Sequence, residues 1–311
     1  MAVFPGAALA FSTAARAQGG QGHRVDEIHL LPVQGNVYMF AGESGNVAVQ
    51  VGSDGVLLVD TLNAESGEAL LRTIGELSDE PIRHIINTHV HTDHTGGNER
   101  LAAAGQALAQ PVGVAPVRRA QVIAHWNVLN SMVEHDAPAG DWPDTTFLTP
   151  AKDLFFNGEA VQVFHQPAAH TDGDVIVFFR RSDVISTGDL FVTNSYPVVD
   201  LEHGGSINGI IDALNGILDL TVPAVNQEGG TMVIPGHGRL GDEADVVNYR
   251  DMVTIVRDRI QDLIDKGMTL EEVKSARPTL DYDPLYRAET GSWTAEIFVE
   301  AVYRSLTETR H

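Results

Sequence analysis

A chain of 311 residues with 43% hydrophobic content has enough apolar material for one large domain or two small ones. Its 20 basic and 42 acidic residues give a formal net charge of −22, which repels nucleic acid and anionic membrane and sets both aside as partners. It has no cysteine, so disulfides and thiolate ligands are excluded, and any metal must be held by imidazole and carboxylate.

In chain order, the N-terminus comes first and carries the marks of an export signal. An apolar stretch over residues 3–11 leads to Ala15-Arg16-Ala17 before Gln18, the small-x-small form of a cleavage site, although a basic n-region is missing. This pattern predicts a signal peptide over 1–17, a flexible lead-in over 18–28, and a periplasmic or secreted mature protein. Short β-type runs follow at 36–40, 46–51 and 56–59, punctuated by Gly and Asp. Residues 64–77 have helical spacing, with Leu70, Leu71, Ile74 and Leu77 on one stripe. A strand at Ile85-Ile86 runs into Asn87-Thr88-His89-Val90-His91-Thr92-Asp93-His94-Thr95-Gly96-Gly97, and a helix then extends to Ala104.

Beyond it, the pattern predicts a strand at 112–115, a helix over 117–133 and a long surface loop over 134–150. Strands return at 161–164, 175–179 and 184–186, with a helix at 207–220 and a strand at 232–234. The region from about 242 to 308 reads as helical, in segments 242–266, 270–275 and 294–307. No apolar run is long enough to span a bilayer. Strands and helices interleave without a domain-sized break, so 29–311 is expected to form a single α/β domain of layered sheets covered by helices.

Packing alone does not call for four strong ligand side chains, His89, His91, Asp93 and His94, within six residues. On an extended or turning backbone His89 and His91 share a face and can grip one ion, while Asp93 and His94 point elsewhere and suit a second. Three more ligand types stand after predicted strands: His170 in Ala168-Ala169-His170-Thr171, Asp189 in Gly188-Asp189-Leu190-Phe191, and His237 in Pro235-Gly236-His237-Gly238. A lone histidine after a strand is ordinary. All seven together supply a set for two ions.

From about Asn36 to Gly238 the order and setting of these motifs, with Leu58-Val59-Asp60 ahead of them, resemble the metallo-β-lactamase superfamily. The resemblance implies an αβ/βα four-layer sandwich of two mixed sheets flanked by helices, with the metals at one edge. It also implies two zinc ions per chain: His89, His91 and His170 hold the first, Asp93, His94 and His237 the second, and Asp189 bridges them. Asp60 would orient a ligand histidine through its outer ring nitrogen. Zinc bound in this way lowers the pKa of its water from 15.7 to roughly 7. The implied reaction is therefore attack by metal-bound hydroxide on an activated or strained carbonyl, with Asp93 also taking up a proton.

A β-lactam ring is the first substrate expected, and a small molecule carrying a carboxylate suits a site whose ions, Asp93, Asp189 and one hydroxide sum to about +1. The alternatives are a lactone or thioester, because the Gly-Asp-Leu-Phe and Pro-Gly-His-Gly settings are closer to acyl-homoserine lactonases and glyoxalase II. An iron-dependent persulfide dioxygenase of the same fold ranks lower, since such enzymes often leave the second site incomplete. Asn194 and Tyr196, just after Asp189, are candidates to donate to a developing oxyanion. His203 is a candidate to overhang the site, Trp126 and Trp142 to wall it, and Arg239 to meet a substrate carboxylate. Oligomeric state is not legible.

Overall fold

Runs of β-branched and aromatic residues, broken by Gly, Asn and Asp, build two mixed sheets whose inner faces pack together. The structure, a computed structural model, describes residues 29–108, 118–286 and 293–308. The expected signal peptide, the lead-in and the strand at 112–115 lie outside the described residues.

The first sheet holds β1 (His29–Gln34), β2 (Val37–Gly42), β3 (Gly45–Gly52), β4 (Gly55–Val59), β5 (Ile82–Ile86), β6 (Gln121–His125) and β7 (Thr145–Phe147), in that spatial order. Its first four strands form an antiparallel meander, and β4 to β7 run parallel. The second sheet holds β8 (Ala151–Phe156), β9 (Glu159–His165), β10 (Val175–Phe179), β11 (Val184–Ser186), β12 (Met232–Ile234) and β13 (Gly241–Asp242), adjacent in chain order. Only β11 and β12 pair in parallel there.

Alternation along the strands sorts side chains into layers. Leu57 and Val59 of β4 face the second sheet, and Val175, Val177 and Phe179 of β10 meet them in the central core. Val56 and Leu58 point the other way, beneath α1 (Gly67–Leu77), α2 (Thr92–Thr95) and α3 (Asn98–Ala104), where Leu70, Ile74 and Leu101 complete an outer cluster. A separate small cluster, Ala124, Val128 and Met132, seats α4 (Trp126–Glu134). On the far side Ile176 and Phe178 lie under α5 (Ile207–Leu220), α6 (Glu243–Asp265), α7 (Leu270–Ala276), α8 (Asp283–Tyr286) and α9 (Ala295–Thr307). Each fully buried Val, Leu or Phe contributes about 1.5–3 kcal/mol, so the three cores carry the sandwich. The four-layer αβ/βα arrangement is the expected one.

Local differences have clear causes. The helix expected over 117–133 is divided: 121–125 is strand β6, and helix α4 starts only at Trp126. Val122, Ile123 and Ala124 are buried on both faces, and a short run of that kind has no period that separates strand from helix. His125 marks the change, because its Nδ1 accepts from Asn127 N at 3.3 Å and caps α4. The loop expected over 134–150 contains a short helical turn at Ala139–Asp141 and the edge strand β7. Strands β1, β8 and β13 were not expected, and all are edge or near-edge elements with weak burial patterns.

His125 also stacks on His165, with ring centroids 3.5 Å apart and planes at 11°, joining the ends of β6 and β9. Burial, then the neighbouring His165, lowers the His125 pKa to about 4 from 6.5. The unfolded chain therefore binds a proton there that the fold refuses, and stability present above pH 6.5 is lost as pH falls toward 4. Between pH 7 and 4.5 this residue should cost on the order of 2 kcal/mol. His125→Asn, which keeps a capping oxygen, should lose that part of the acid sensitivity in chemical unfolding. Parallel pH profiles for the variant and the parent would show that the stack does not refuse the proton.

Candidate metal centre

Five strands end at the same edge of the sandwich, and each delivers a polar side chain there. Asp60 follows β4, the run from His89 to His94 follows β5, His170 follows β9, Asp189 follows β11 and His237 follows β12. The loops are held from outside. Asn87 and Asn98 exchange side-chain hydrogen bonds at 3.0 and 2.8 Å, which fixes the first ligand loop on α3. Asn46 donates its side-chain amide to Pro235 O and Gly238 O at 2.9 and 3.0 Å, and its backbone N to Gly236 O at 2.9 Å, tying the first sheet to the His237 loop. Gly236 is required where it stands, since a methyl group there would collide with Asp189 Oδ1 and the Gly188 backbone.

Two ligand groups result. His91 Nδ1 lies 3.2 Å from His89 Nε2 and 3.0 Å from His170 Nε2. In the second group His94 Nε2 and His237 Nε2 are 3.4 Å apart, and Asp93 Oδ2 is 3.3 Å from His237 Nε2 and 3.8 Å from His94 Nε2. Asp189 stands between them, with Oδ1 at 3.2 and 3.3 Å from His94 and His237 and Oδ2 at 3.9 Å from His170. Ligand atoms around a tetrahedral ion with bonds of 2.0–2.1 Å sit about 3.3 Å from one another. The spacings fit that figure. Asp189 Oδ1 is buried and has no well-formed hydrogen bond, as expected of an oxygen reserved for a cation.

Four of the five ligand rings are turned from behind. His94 Nδ1 meets Asp60 Oδ2 at 2.8 Å, and the same carboxylate accepts from Thr88 N at 2.8 Å and Thr88 Oγ1 at 2.7 Å. Thr88 Oγ1 in turn lies 3.0 Å from His89 Nδ1. His170 Nδ1 donates to Val198 O at 2.8 Å, and His91 Nε2 faces Asp200 Oδ2 at 2.7 Å. These partners select which ring nitrogen is left to a metal.

Electrostatics differ between the groups. Burial, with the neighbouring imidazoles, holds His89 well below its usual range and His170 at about 4, so both are neutral with free lone pairs at pH 7. Burial opposes protonation of His94 and His237 as well, but Asp189 prevails with help from Asp60 and Asp93, raising His94 well above its usual range and His237 to about 9. Burial likewise opposes ionisation of Asp189, yet those two imidazoles keep its carboxyl well below the usual range. A cation would replace the protons of this second group.

His89, His94, His170 and Asp189 are buried and form the floor, whereas His91, Asp93 and His237 have side chains 27%, 38% and 25% exposed and form an open rim. Asn194 is exposed near that rim, its Cβ 3.5 Å from where a Cβ on Gly238 would lie. Tyr196, expected as an oxyanion donor, is not available: it is buried, stacked on Phe298, and its one hydroxyl proton is shared between Thr279 O and Asp283 Oδ1, at 3.2 and 3.0 Å. Arg239 is likewise committed, to Asp245 at 2.8 and 2.6 Å. Trp142 anchors its own loop through Ala137 O at 3.0 Å and packs on the α4 cluster, while Trp126 is exposed. His203 stands beside the site, 5.7 Å ring to ring from His91. Thr88 and Asp200 escaped the sequence reading: Thr88 stands beside the ligand run but is not itself a ligand type, and Asp200 has no metal-ligand motif around it.

A family model described as the metallo-beta-lactamase superfamily matches residues 40–237. A "Metallo-beta-lactamase type 2" of Bacillus cereus is 22% identical over 223 residues, 69% of this chain and 75% of that protein. One from Bacillus sp. (strain 170) is 21% identical over the same shares. Among solved structures, a metallo-beta-lactamase from Pontibacter korlensis superposes with a TM-score of 0.57 at 17% identity, over 73% of this chain and 99% of its own. The inverting sec-alkylsulfatase Pisa1 from Pseudomonas sp. gives a TM-score of 0.66 at 15% identity over 90% of this chain, but this chain spans only 50% of that protein's length. These structural likenesses show the fold.

Two variants separate the site from its surroundings. Tyr196→Phe should keep full metal content and lose about 1 kcal/mol of stability, the worth of its hydroxyl's hydrogen bonds. Gly236→Ala should lose bound metal, because the added methyl displaces Asp189. Metal analysis together with thermal unfolding checks both, and a metal-depleted Tyr196→Phe that is otherwise folded would return that hydroxyl to the site.

Proposed function

The chain belongs to the metallo-beta-lactamase superfamily, and from that membership and the geometry above we propose that it is a dinuclear zinc hydrolase. It opens an activated or strained carbonyl, a β-lactam ring first among these, and it acts in the periplasm or outside the cell. The observation that carries the reading is Asp189, one carboxylate whose two oxygens face separate ligand groups. When bound, the two ions lower the pKa of a coordinated water from 15.7 to roughly 7 and polarise the carbonyl.

The residues supply the rest. The floor residues fix the ions' places and exclude water from below, while the exposed rim of His91, Asp93 and His237 leaves the approach for a small molecule. Burial raises the Asp93 carboxyl, but His237 and His94 outweigh it and keep it below its usual range, so it is ionised at neutral pH, and its 38% exposed side chain is the proposed acceptor of a proton as the ring opens. Asn194, at the edge of the rim, is the proposed donor to the oxyanion.

The β-lactam assignment draws on the two Bacillus relatives, whose names state that activity and which cover most of the chain. A second reading, a lactone or thioester, draws on charge. Asp60 and Asp200 add two carboxylates behind the ligands to the expected count, and Arg239 is occupied, so an anionic substrate is drawn in less strongly than the ligand set alone implies.

Rates on a penicillin, a carbapenem, an acyl-homoserine lactone, a thioester and a secondary alkyl sulfate, all at equal zinc, decide between them. β-Lactam hydrolysis with Asn194→Ala lowering kcat about a hundredfold is expected. Efficiency at least a hundredfold higher on the lactone, with no resistance conferred on a susceptible host, would overturn the lactam assignment. Metal analysis should find about two zinc per chain, falling toward one in Asp189→Asn. One iron per chain would instead point to oxidation chemistry.

A further inference from the structure

We propose that Asp200 is the positioning residue of the first metal group: its carboxylate dictates which nitrogen of His91 faces the ion, and its loop carries His170 into place. The inference rests on the metal-centre reading above and takes further the contacts that the segment 198–203 makes there with His91 and His170.

The chemistry of the contacts forces the assignment. Asp200 Oδ2 lies 2.7 Å from His91 Nε2 and 2.7 Å from His203 Nδ1. An ionised carboxylate only accepts, so both imidazoles must donate to it. His91 then carries its hydrogen on Nε2, and the lone pair of Nδ1 is left pointing at His89 Nε2 and His170 Nε2, at 3.2 and 3.0 Å. With the opposite tautomer, two lone pairs would face each other at Asp200 and an N–H would point into the ligand group. The other oxygen, Oδ1, accepts from Glu202 N and His203 N at 3.1 Å each, which locks the carboxylate in plane.

The backbone of the same segment serves the third ligand. Asp200 N donates to His170 O at 3.0 Å, and Val198 O accepts from His170 Nδ1 at 2.8 Å. Two of the three nitrogens of the first group therefore depend on residues 198–200. His203 backs the carboxylate, and its ring lies 4.4 Å from that of His135 at the end of α4.

His91, Asp200 and His203 also come close enough together to suggest an ion of their own. Their spacing argues otherwise. Contacts of 2.7 Å are hydrogen-bond distances, well inside the roughly 3.3 Å between neighbouring ligands of a tetrahedral ion.

The test measures zinc affinity by competition with a chromophoric chelator, in a His237→Ala background that leaves the first group as the principal site. Removing an outer partner of a ligand typically weakens binding 10–100-fold. Asp200→Leu should lose affinity near the upper end of that range. Asp200→Asn, whose amide oxygen still accepts from His91, should recover much of it, and His203→Ala should lose about threefold. Unfolding of the metal-free proteins monitors the fold, and the Asn variant should match its parent. Unchanged affinity in Asp200→Leu, or no recovery in Asp200→Asn despite an intact fold, would overturn the proposal. So would a third zinc in the otherwise unaltered protein that disappears in Asp200→Leu, since Asp200 would then be a ligand. If the unaltered protein fails to bind zinc at all, the metal-centre reading itself has failed, which is a separate result.

Discussion

Three buried histidines and a buried aspartate converge on one small volume, and a protein interior does not tolerate that aspartate's charge without positive charge beside it, protons on His94 and His237 or bound cations in their place. The rest of the edge is organised around this constraint. Asp60 is its principal support: one carboxylate holds His94 directly and His89 through Thr88, from a backbone at φ 70° that a non-glycine residue rarely adopts. Both ligand groups therefore share a support in the first sheet, and Asp189 from the second sheet joins them from the opposite side.

The fold makes this arrangement possible by where its strands end. In β4 and β5, and again in β11 and β12, parallel pairing sends successive C-termini to the same edge, so loops far apart in sequence arrive side by side. The inner faces of the two sheets hold that edge at fixed separation through a close-packed apolar core. Asn46 then pins the His237 loop across the gap. Ligand positions set by rigid strand ends need little reorganisation to receive ions, which is the condition for a catalytic metal site.

Much of the site was legible because metal ligands are chemically conspicuous. His89, His91, Asp93 and His94 announce themselves within six residues, and the structure brings His170, Asp189 and His237 to them. Strands with clear boundaries, such as Val184–Ser186 and Met232–Ile234, were readable from their apolar runs. The fold was harder where a run is buried on both faces, as in β6, or where an edge strand buries little, as in β8. Tyr196 illustrates the limit for side chains. Its place in the sequence beside Asp189 suggested a donor, but only tertiary packing on Phe298 and Asp283 reveals that the ring turns away into the helical layer. Asp200 shows the converse: a carboxylate of no motif acquires a role because 109 residues of chain separate it from His91 yet the fold closes that distance to 2.7 Å.

Anomalous scattering at the zinc edge, from crystals grown with excess zinc, tests the central claim most directly. Two peaks roughly 3.5–4 Å apart are expected. One should lie among His89, His91 and His170, the other among Asp93, His94 and His237, with the Asp189 carboxylate between them. A single peak, or zinc bound only away from these seven residues, would contradict a dinuclear centre.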